Sequence, residues 1–192
     1  MSAPTRPSKK STTPTRAAAT TDAGAEKTQY LTFMLDRELF AIGILAIKEI
    51  IEYGNLTVVP MMPEFIRGVI NLRGAVVPVV DLAARFQRKS TVVTKRTCIV
   101  IVEIETEGGR HVVGVIVDAV NEVLDIMAFE VEPAPTFGAK IRADFIYGLG
   151  KVNGRFVILL DMNHVLSVAG MSALASGDSG EEPASEAVRP GR

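Results

Sequence analysis

The chain has 192 residues, in which 21 Lys and Arg are balanced by 22 Asp and Glu, with two His, one Cys and no Trp. Its 47% hydrophobic content suffices for the core of one domain or two small ones. The net charge of −1 argues against nucleic acid as a partner, because phosphate contacts demand a basic surface. One cysteine excludes a disulfide framework and a cysteine-based zinc site.

The chain begins and ends in segments that differ in composition from its middle. Residues 1–27 are rich in Ser, Thr, Pro and Ala and are predicted to form a disordered tail, because they offer little apolar surface to bury. They lack the apolar run of a signal peptide, and no stretch of the chain is apolar enough for a membrane span. We therefore expect a cytoplasmic protein without direct membrane insertion. Residues 168–192 are predicted to hold the end of a C-terminal helix and a flexible tail.

The middle segment consists of short runs rich in Val and Ile, separated by Gly, Pro, Asn and Asp, and this pattern predicts short β-strands. The clearest runs, in chain order, are TQYLTFML, ELFAIGI, RTCIVIVEI, HVVGVIVD and RFVILL. The sequence Glu107-Gly108-Gly109 predicts a hairpin turn between the third and fourth runs. Asp81 and Asp161 each end an apolar run and are predicted to be the N-caps of short helices. A further short helix is predicted around residues 140–146.

An internal repeat relates two parts of this segment. Residues 65–82, FIRGVINLRGAVVPVVDL, align without gaps with residues 145–162, FIYGLGKVNGRFVILLDM, and six of the eighteen positions are identical. Gly74 and Gly154 fall at equivalent hairpin tips, where a tight turn requires positive φ. A unit of about 70 residues is only marginally stable alone, so we expect the two to pack together. Short strands with short connections favour small closed or nearly closed barrels.

Residues with catalytic or metal-binding chemistry are few in the middle segment. His111 and His164 have no partner at ligand spacing, and Cys98 lies in an apolar run typical of a core residue. Glu103 and Glu105 alternate along one strand and most simply mark its solvent face. The sequence therefore predicts no enzyme, no catalytic residue, no metal and no cofactor. A hydrolase with a carboxylate pair between the two units, and a nucleic-acid module with basic strand faces, are the alternatives.

Arg73 is the clearest difference between the two repeats. It stands at the hairpin tip NLRG, where the second copy has Asn153, although such turns prefer Asn, Asp or Gly. Either the arginine has a special role, or it is a solvated side chain in a tolerant loop. Glu49 is a plausible charge partner, and strand alternation predicts Ile47 on the same face as Glu49.

Residues 29–167 resemble the CheW family of bacterial chemotaxis coupling proteins. The resemblance rests on LAIKEIIEY, VVPMMPEFIRGVINLRGAVVPVVDL, VVGVIVDAVNEVL and FIYGLGKVNGRFVILLDM. It implies a mainly β fold of two SH3-like five-stranded β-barrels packed on each other, with a few short helices and a C-terminal helix. The CheW-like domain is expected over residues 28–167, with the second barrel made largely from about residues 96–160.

The resemblance also implies a function. Members are non-enzymatic adaptors that couple the cytoplasmic tip of chemoreceptors, the methyl-accepting chemotaxis proteins, to the regulatory domain of the chemotaxis histidine kinase and control its activity. A cytoplasmic protein recruited to membrane-associated receptor arrays is therefore expected. A CheW-like scaffold for a different receptor–kinase pathway, such as surface motility, is the alternative. The resemblance assigns no individual kinase contact, and it assigns receptor binding to Ile47, Glu49, Gly68, Asn71, Leu72 and Arg73.

Overall fold

The computed structural model describes residues 26–106, 109–134 and 141–167, which fold into β-strands with two short α-helices. The strands are β1 Lys27–Leu35, β2 Glu38–Gly43, β3 Ile47–Glu52, β4 Ile66–Leu72, β5 Ala75–Asp81, β6 Cys98–Thr106, β7 Gly109–Val117, β8 Ala119–Met127, β9 Val131–Glu132, β10 Ile146–Val152 and β11 Arg155–Leu160. The helices are α1 Leu82–Arg85 and α2 Met162–Leu166. Single 3₁₀ turns occupy Ile44–Ala46, Ala128–Glu130 and Ala143–Phe145.

The predicted mainly β fold, the five clearest strands and both helix starts are confirmed. The helix predicted around residues 140–146 is a 3₁₀ turn, Ala143–Phe145. Lys27 already belongs to β1, so the ordered chain begins inside the segment predicted as a tail. The other calls on the tails concern residues 1–25 and 168–192, which lie outside the described residues, as do two residues of the predicted hairpin turn, 107–108. In the part of the chain that the structure describes, no helix has the length and apolarity to span a membrane.

The strands form two curled sheets. Barrel 1 is the five-stranded sheet, with the order β3-β6-β7-β5-β4, and barrel 2 is the six-stranded sheet, with the order β8-β1-β2-β11-β10-β9. The sixth strand of barrel 2 is the two-residue β9, which pairs with β10. Its counterpart in barrel 1 is the isolated bridge between Thr57 and Val69 on β4. The two sheets are therefore built alike, as the repeat predicted.

The second barrel, predicted to be made largely from about residues 96–160, takes four of its six strands, β8 to β11, from that range, and the two halves of the chain exchange hairpins. The β6–β7 hairpin of the second half is inserted into barrel 1, where β6 pairs antiparallel with β3 and β7 pairs parallel with β5. The β1–β2 hairpin of the first half is inserted into barrel 2, between β8 and β11. We call residues 26–97 the first half and the described residues from 98 to 167 the second half. The repeat identified matching segments, but pairing between distant strands decides which sheet each hairpin joins.

The exchanged hairpins are buried on both faces, and this explains their sequences. In β6, Val100 and Val102 face a large core between the barrels, whereas Ile99 and Ile101 face the interior of barrel 1. A strand buried on both faces reads as a continuous apolar run rather than an alternating one, as RTCIVIVEI does. Barrel 2 has its own interior core, which includes Leu159. The core between the barrels therefore fixes them against each other, while each barrel is filled by an interior core of its own.

The helix caps hold the end of each repeat in place. The buried carboxylate of Asp81 accepts hydrogen bonds from the amides of Ala83 and Ala84, at 3.0 and 3.3 Å. It also accepts hydrogen bonds from the amide and the hydroxyl of Thr91, each at 2.9 Å. Asp161 caps α2 through the amide of His164 at 3.1 Å. The hairpin carrying Arg73 is thereby followed by a fixed anchor.

Candidate functional site

The β4–β5 hairpin turn places an arginine in the left-handed region of the backbone. Leu72 pairs with Ala75, which leaves Arg73 at φ 52° and Gly74 at φ 91° as a two-residue turn. The side-chain oxygen of Asn71 accepts the amide of Gly74 at 2.8 Å and closes the turn. Positive φ costs a residue with a Cβ about 1–2 kcal/mol, and asparagine and glycine pay less. The backbone conformation of Arg73 is therefore unfavourable, and its side chain makes no contact within the turn that offsets the cost.

The Arg73 side chain forms an ion pair with Glu49. Its Nη2 donates to Oε2 of Glu49 at 2.9 Å, which confirms the predicted charge partner. The side chain of Arg73 is 80% exposed and that of Glu49 is 26% exposed. Glu49 lies on β3 and Arg73 follows β4, and these strands are the two edges of the barrel 1 sheet. The ion pair therefore joins the open edges of the barrel while it remains accessible to a partner.

The prediction that Ile47 and Glu49 share a strand face is wrong. A β-bulge lies between them, so that Ile47 pairs with Val102 and Glu49 with Ile101. Directly paired residues share a face of the sheet. Ile47 accordingly packs, half-buried, against the core between the barrels, whereas Glu49 lies on the face of Ile101. The bulge lets the strand present a charge beside the turn and still bury an isoleucine.

Gly68 and Leu72, two other residues assigned to receptor binding, have structural roles around the turn. Gly68 has φ 146°, and a Cβ there would collide with the carbonyl oxygen of Thr57. Its hydrogen allows the bridge between Thr57 and Val69 to form. Leu72 is half-buried against the interior core of barrel 1. Asn71 braces the turn and is itself exposed, so a partner can reach Asn71 as well as Arg73 and Glu49.

Sequence reasoning missed Leu45. This leucine lies in the 3₁₀ turn directly before β3 and is 97% exposed. Val76, which pairs with Asn71 next to the turn, is also exposed. The run ILAIKEII could have indicated Leu45, but an unbroken apolar run does not reveal which of its members face solvent. Barrel 1 thus presents exposed apolar side chains close in sequence to both members of the ion pair.

In the part of barrel 2 that the structure describes, the ion pair has no equivalent. Its corresponding turn is formed by Asn153 at φ 49° and Gly154 at φ 76°. Glu122 is the counterpart of Glu49, because it lies beside Thr32, the counterpart of Ile101 on β6. The two barrels therefore differ at the turn residue, which is arginine in barrel 1 and asparagine in barrel 2. The charged turn therefore distinguishes the two pseudo-equivalent barrels.

The groups considered for catalysis are engaged in ordinary contacts. Glu103 accepts a hydrogen bond from Lys48 at 2.8 Å, and this contact, with the nearby charge of Arg110, lowers the pKa of Glu103. A carboxyl acting as a general acid requires a raised pKa instead. The Sγ of Cys98 lies 3.3 Å from the carbonyl oxygen of Arg96. Among the described residues, no three His, Cys, Asp or Glu side chains are placed to hold a metal ion.

Comparison with known proteins gives the family. The model of the CheW-like domain matches residues 29–170. The chain is 35% identical over 139 residues to the chemotaxis protein CheW of Klebsiella aerogenes, covering 72% of this chain and 81% of the relative. It is 34% identical over 139 residues to CheW of Bacillus subtilis, covering 71% and 85%. The crystal structure of the scaffolding protein TtCheW from Thermoanaerobacter tengcongensis superposes with a TM-score of 0.67 at 34% identity, over 76% of this chain and 91% of that one. The chain belongs to the CheW family of chemotaxis scaffolding proteins.

Proposed function

We propose that this chain is a non-enzymatic adaptor that couples the cytoplasmic tips of chemoreceptors to the regulatory domain of the chemotaxis histidine kinase and thereby controls kinase activity. The observation that carries the proposal is the exposed Arg73–Glu49 pair, which barrel 1 keeps at the expense of an unfavourable turn and which the described part of barrel 2 lacks. An adaptor acts by placing two other proteins. It needs accessible, fixed side chains rather than a pocket for a substrate.

The receptor-binding surface that we propose consists of Leu45, Glu49, Arg73 and Val76, and we call it the barrel 1 face. A receptor tip is a helical hairpin, whose helices present apolar and charged side chains at regular spacing. Leu45 and Val76 supply apolar contact area, and the ion pair supplies fixed charges that set the orientation of the helix. Ile47, Gly68 and Leu72 support this face from behind, and the exposed Asn71 braces its turn.

The kinase domain requires a second surface, and we propose that barrel 2 provides it. Phe129, Tyr147 and Phe156 are large, exposed apolar side chains on this barrel. Exposed aromatic residues are enriched at protein interfaces, where they bury a large area at little entropic cost. Separate surfaces on the two barrels would allow both partners to bind at once, which supports our proposal of a cytoplasmic protein recruited to receptor arrays.

Co-sedimentation with a chemoreceptor cytoplasmic fragment tests the barrel 1 face. Arg73→Glu is expected to abolish co-sedimentation while the circular dichroism spectrum stays unchanged. Asn153→Glu, at the matching turn of barrel 2, is the control and should bind as wild type. Binding of Arg73→Glu and Leu45→Asp at wild-type levels would show that the barrel 1 face is not the receptor site.

A charge swap separates two roles of the ion pair. If Glu49 and Arg73 mainly orient each other, the double variant Glu49→Arg with Arg73→Glu regains receptor binding. If each contacts a receptor charge directly, the double variant remains as defective as the single ones. Pull-down of wild-type protein with the kinase and the receptor fragment together then tests the adaptor role, which a failure to form the ternary complex would refute.

A further inference from the structure

The two halves of the chain hold each other through a reciprocal set of strand pairs. The first half holds the β6–β7 hairpin between β3 and β5, and the second half holds the β1–β2 hairpin between β8 and β11. The core between the barrels also takes residues from both halves, such as Phe33 and Val115. Each barrel is therefore incomplete without the other half, whichever molecule supplies it.

A short exposed segment connects the halves. Thr91 is fixed to the carboxylate of Asp81, and the carbonyl oxygen of Thr97 accepts the amide of Tyr53 at 3.3 Å. Between these anchors lie residues 92–96, which we call the connector. Val92 is 79% exposed. The hydrogen bonds described for the connector are local, as in the turn where the amide of Thr94 donates to the hydroxyl of Thr97 at 2.9 Å.

We propose that two copies of this chain exchange halves through an opened connector and form an intertwined dimer. In such a dimer, the first half of one copy would bind the second half of the other through the strand pairs and cores described above. Only the local turn at Thr94 would have to open, because Thr91 would keep its bond to Asp81 of its own copy while Thr97 would meet Tyr53 of the other copy. This is the condition under which domain exchange costs little.

The connector determines which form predominates. A short linker that keeps the halves of one molecule together gives them an effective concentration on the order of 1 mM. At micromolar protein the closed monomer therefore prevails, and the dimer becomes substantial only near millimolar concentration. An intertwined dimer would carry two copies of the barrel 1 face. The exchange itself does not depend on the proposed function.

Variants of connector length test the exchange in the full chain. Deletion of residues 92–94 hinders closure within one molecule, whereas insertion of Gly-Ser-Gly after Val93 eases it. After refolding from urea at 100 µM, the shortened chain is expected to contain about tenfold more dimer than wild type by size-exclusion chromatography with light scattering. The lengthened chain is the matched control and should remain monomeric. A folded shortened chain that is monomeric at every concentration overturns the proposal.

The lifetime of the dimer distinguishes exchange from contact between surfaces. An intertwined dimer can dissociate only by unfolding, so it should persist for hours after dilution to 1 µM, whereas a surface dimer separates within seconds. Rapid dissociation therefore also overturns the proposal.

If the shortened chain does not fold, the exchange is tested instead with a protease site inserted after Val93 of the full chain. Native mass spectrometry of cleaved protein mixed with an isotope-labelled copy should show complexes of one labelled and one unlabelled half. Halves that unfold on cleavage, or that never exchange during unfolding and refolding, refute the proposal.

Discussion

Replacement of Arg73 by Asn converts the turn of barrel 1 into the Asn-Gly turn that barrel 2 already uses. The substitution reduces the conformational cost of positive φ at residue 73, which is about 1–2 kcal/mol for the arginine. It also removes an exposed ion pair, and such pairs contribute about 0.2–1 kcal/mol. These opposing effects are of similar size. The free energy of unfolding should therefore stay within about 1 kcal/mol of the wild-type value, and receptor binding should be lost.

Urea denaturation and co-sedimentation with the receptor fragment measure the two effects on the same samples. Asn153→Arg is the reciprocal control: it should lose about 1 kcal/mol of stability through turn strain and retain receptor binding. Two results would refute the reasoning. Either Arg73→Asn binds receptor normally, or it loses more than about 2 kcal/mol, in which case the arginine serves the fold.

Three further predictions concern the two carboxylate caps, Gly68 and the exposed ion pair between Arg142 and Asp144. Asp81→Ala removes a buried carboxylate with several donors and should cost about 3–5 kcal/mol in urea denaturation, against about 1 kcal/mol for Asp161→Ala; equal losses would contradict the difference in burial. Gly68→Ala should destabilise by about 2 kcal/mol or more through its collision and positive φ, whereas Gly43→Ala, with open space around it, should change stability by less than about 1 kcal/mol. The pKa of Asp144 is lowered by hydrogen bonds from the arginine two residues before it. The stabilisation from that contact is complete above the ordinary carboxyl pKa and is lost as pH falls through the lowered value, so a midpoint at or above about 3.9 in an NMR titration would contradict it.

The sequence predicted what depends on local pattern. The strands, the caps Asp81 and Asp161, and the turn at Arg73 follow from apolar runs and from residue types with specific backbone preferences. The pairing of Arg73 with Glu49 also followed, because the repeat marked the arginine as exceptional. The resemblance to the CheW family contributed the assignment of these residues to receptor binding, which no rule on residue spacing could supply.

The features that could not be predicted depend on contacts between distant segments. No local signal shows that β6 and β7 join barrel 1, because their apolar runs are compatible with pairing in either sheet. The β-bulge that separates the faces of Ile47 and Glu49 is set by the register against β6. The exposure of Leu45 is likewise decided by tertiary packing, because its neighbours in the run are equally apolar.

Because of the hairpin exchange, the two barrels become complete at different stages of synthesis. The ribosome makes β1 and β2 first, but both strands that flank them in barrel 2, β8 and β11, are made only later. Barrel 1 has all its strands once residue 117 has emerged, while the β1–β2 hairpin still lacks its partners. Contacts between segments so far apart in the chain form slowly and leave apolar strands exposed in the meantime. A nascent chain stalled at this point would carry a complete set of barrel 1 strands beside an uncovered hairpin, and it would be the form most in need of a chaperone.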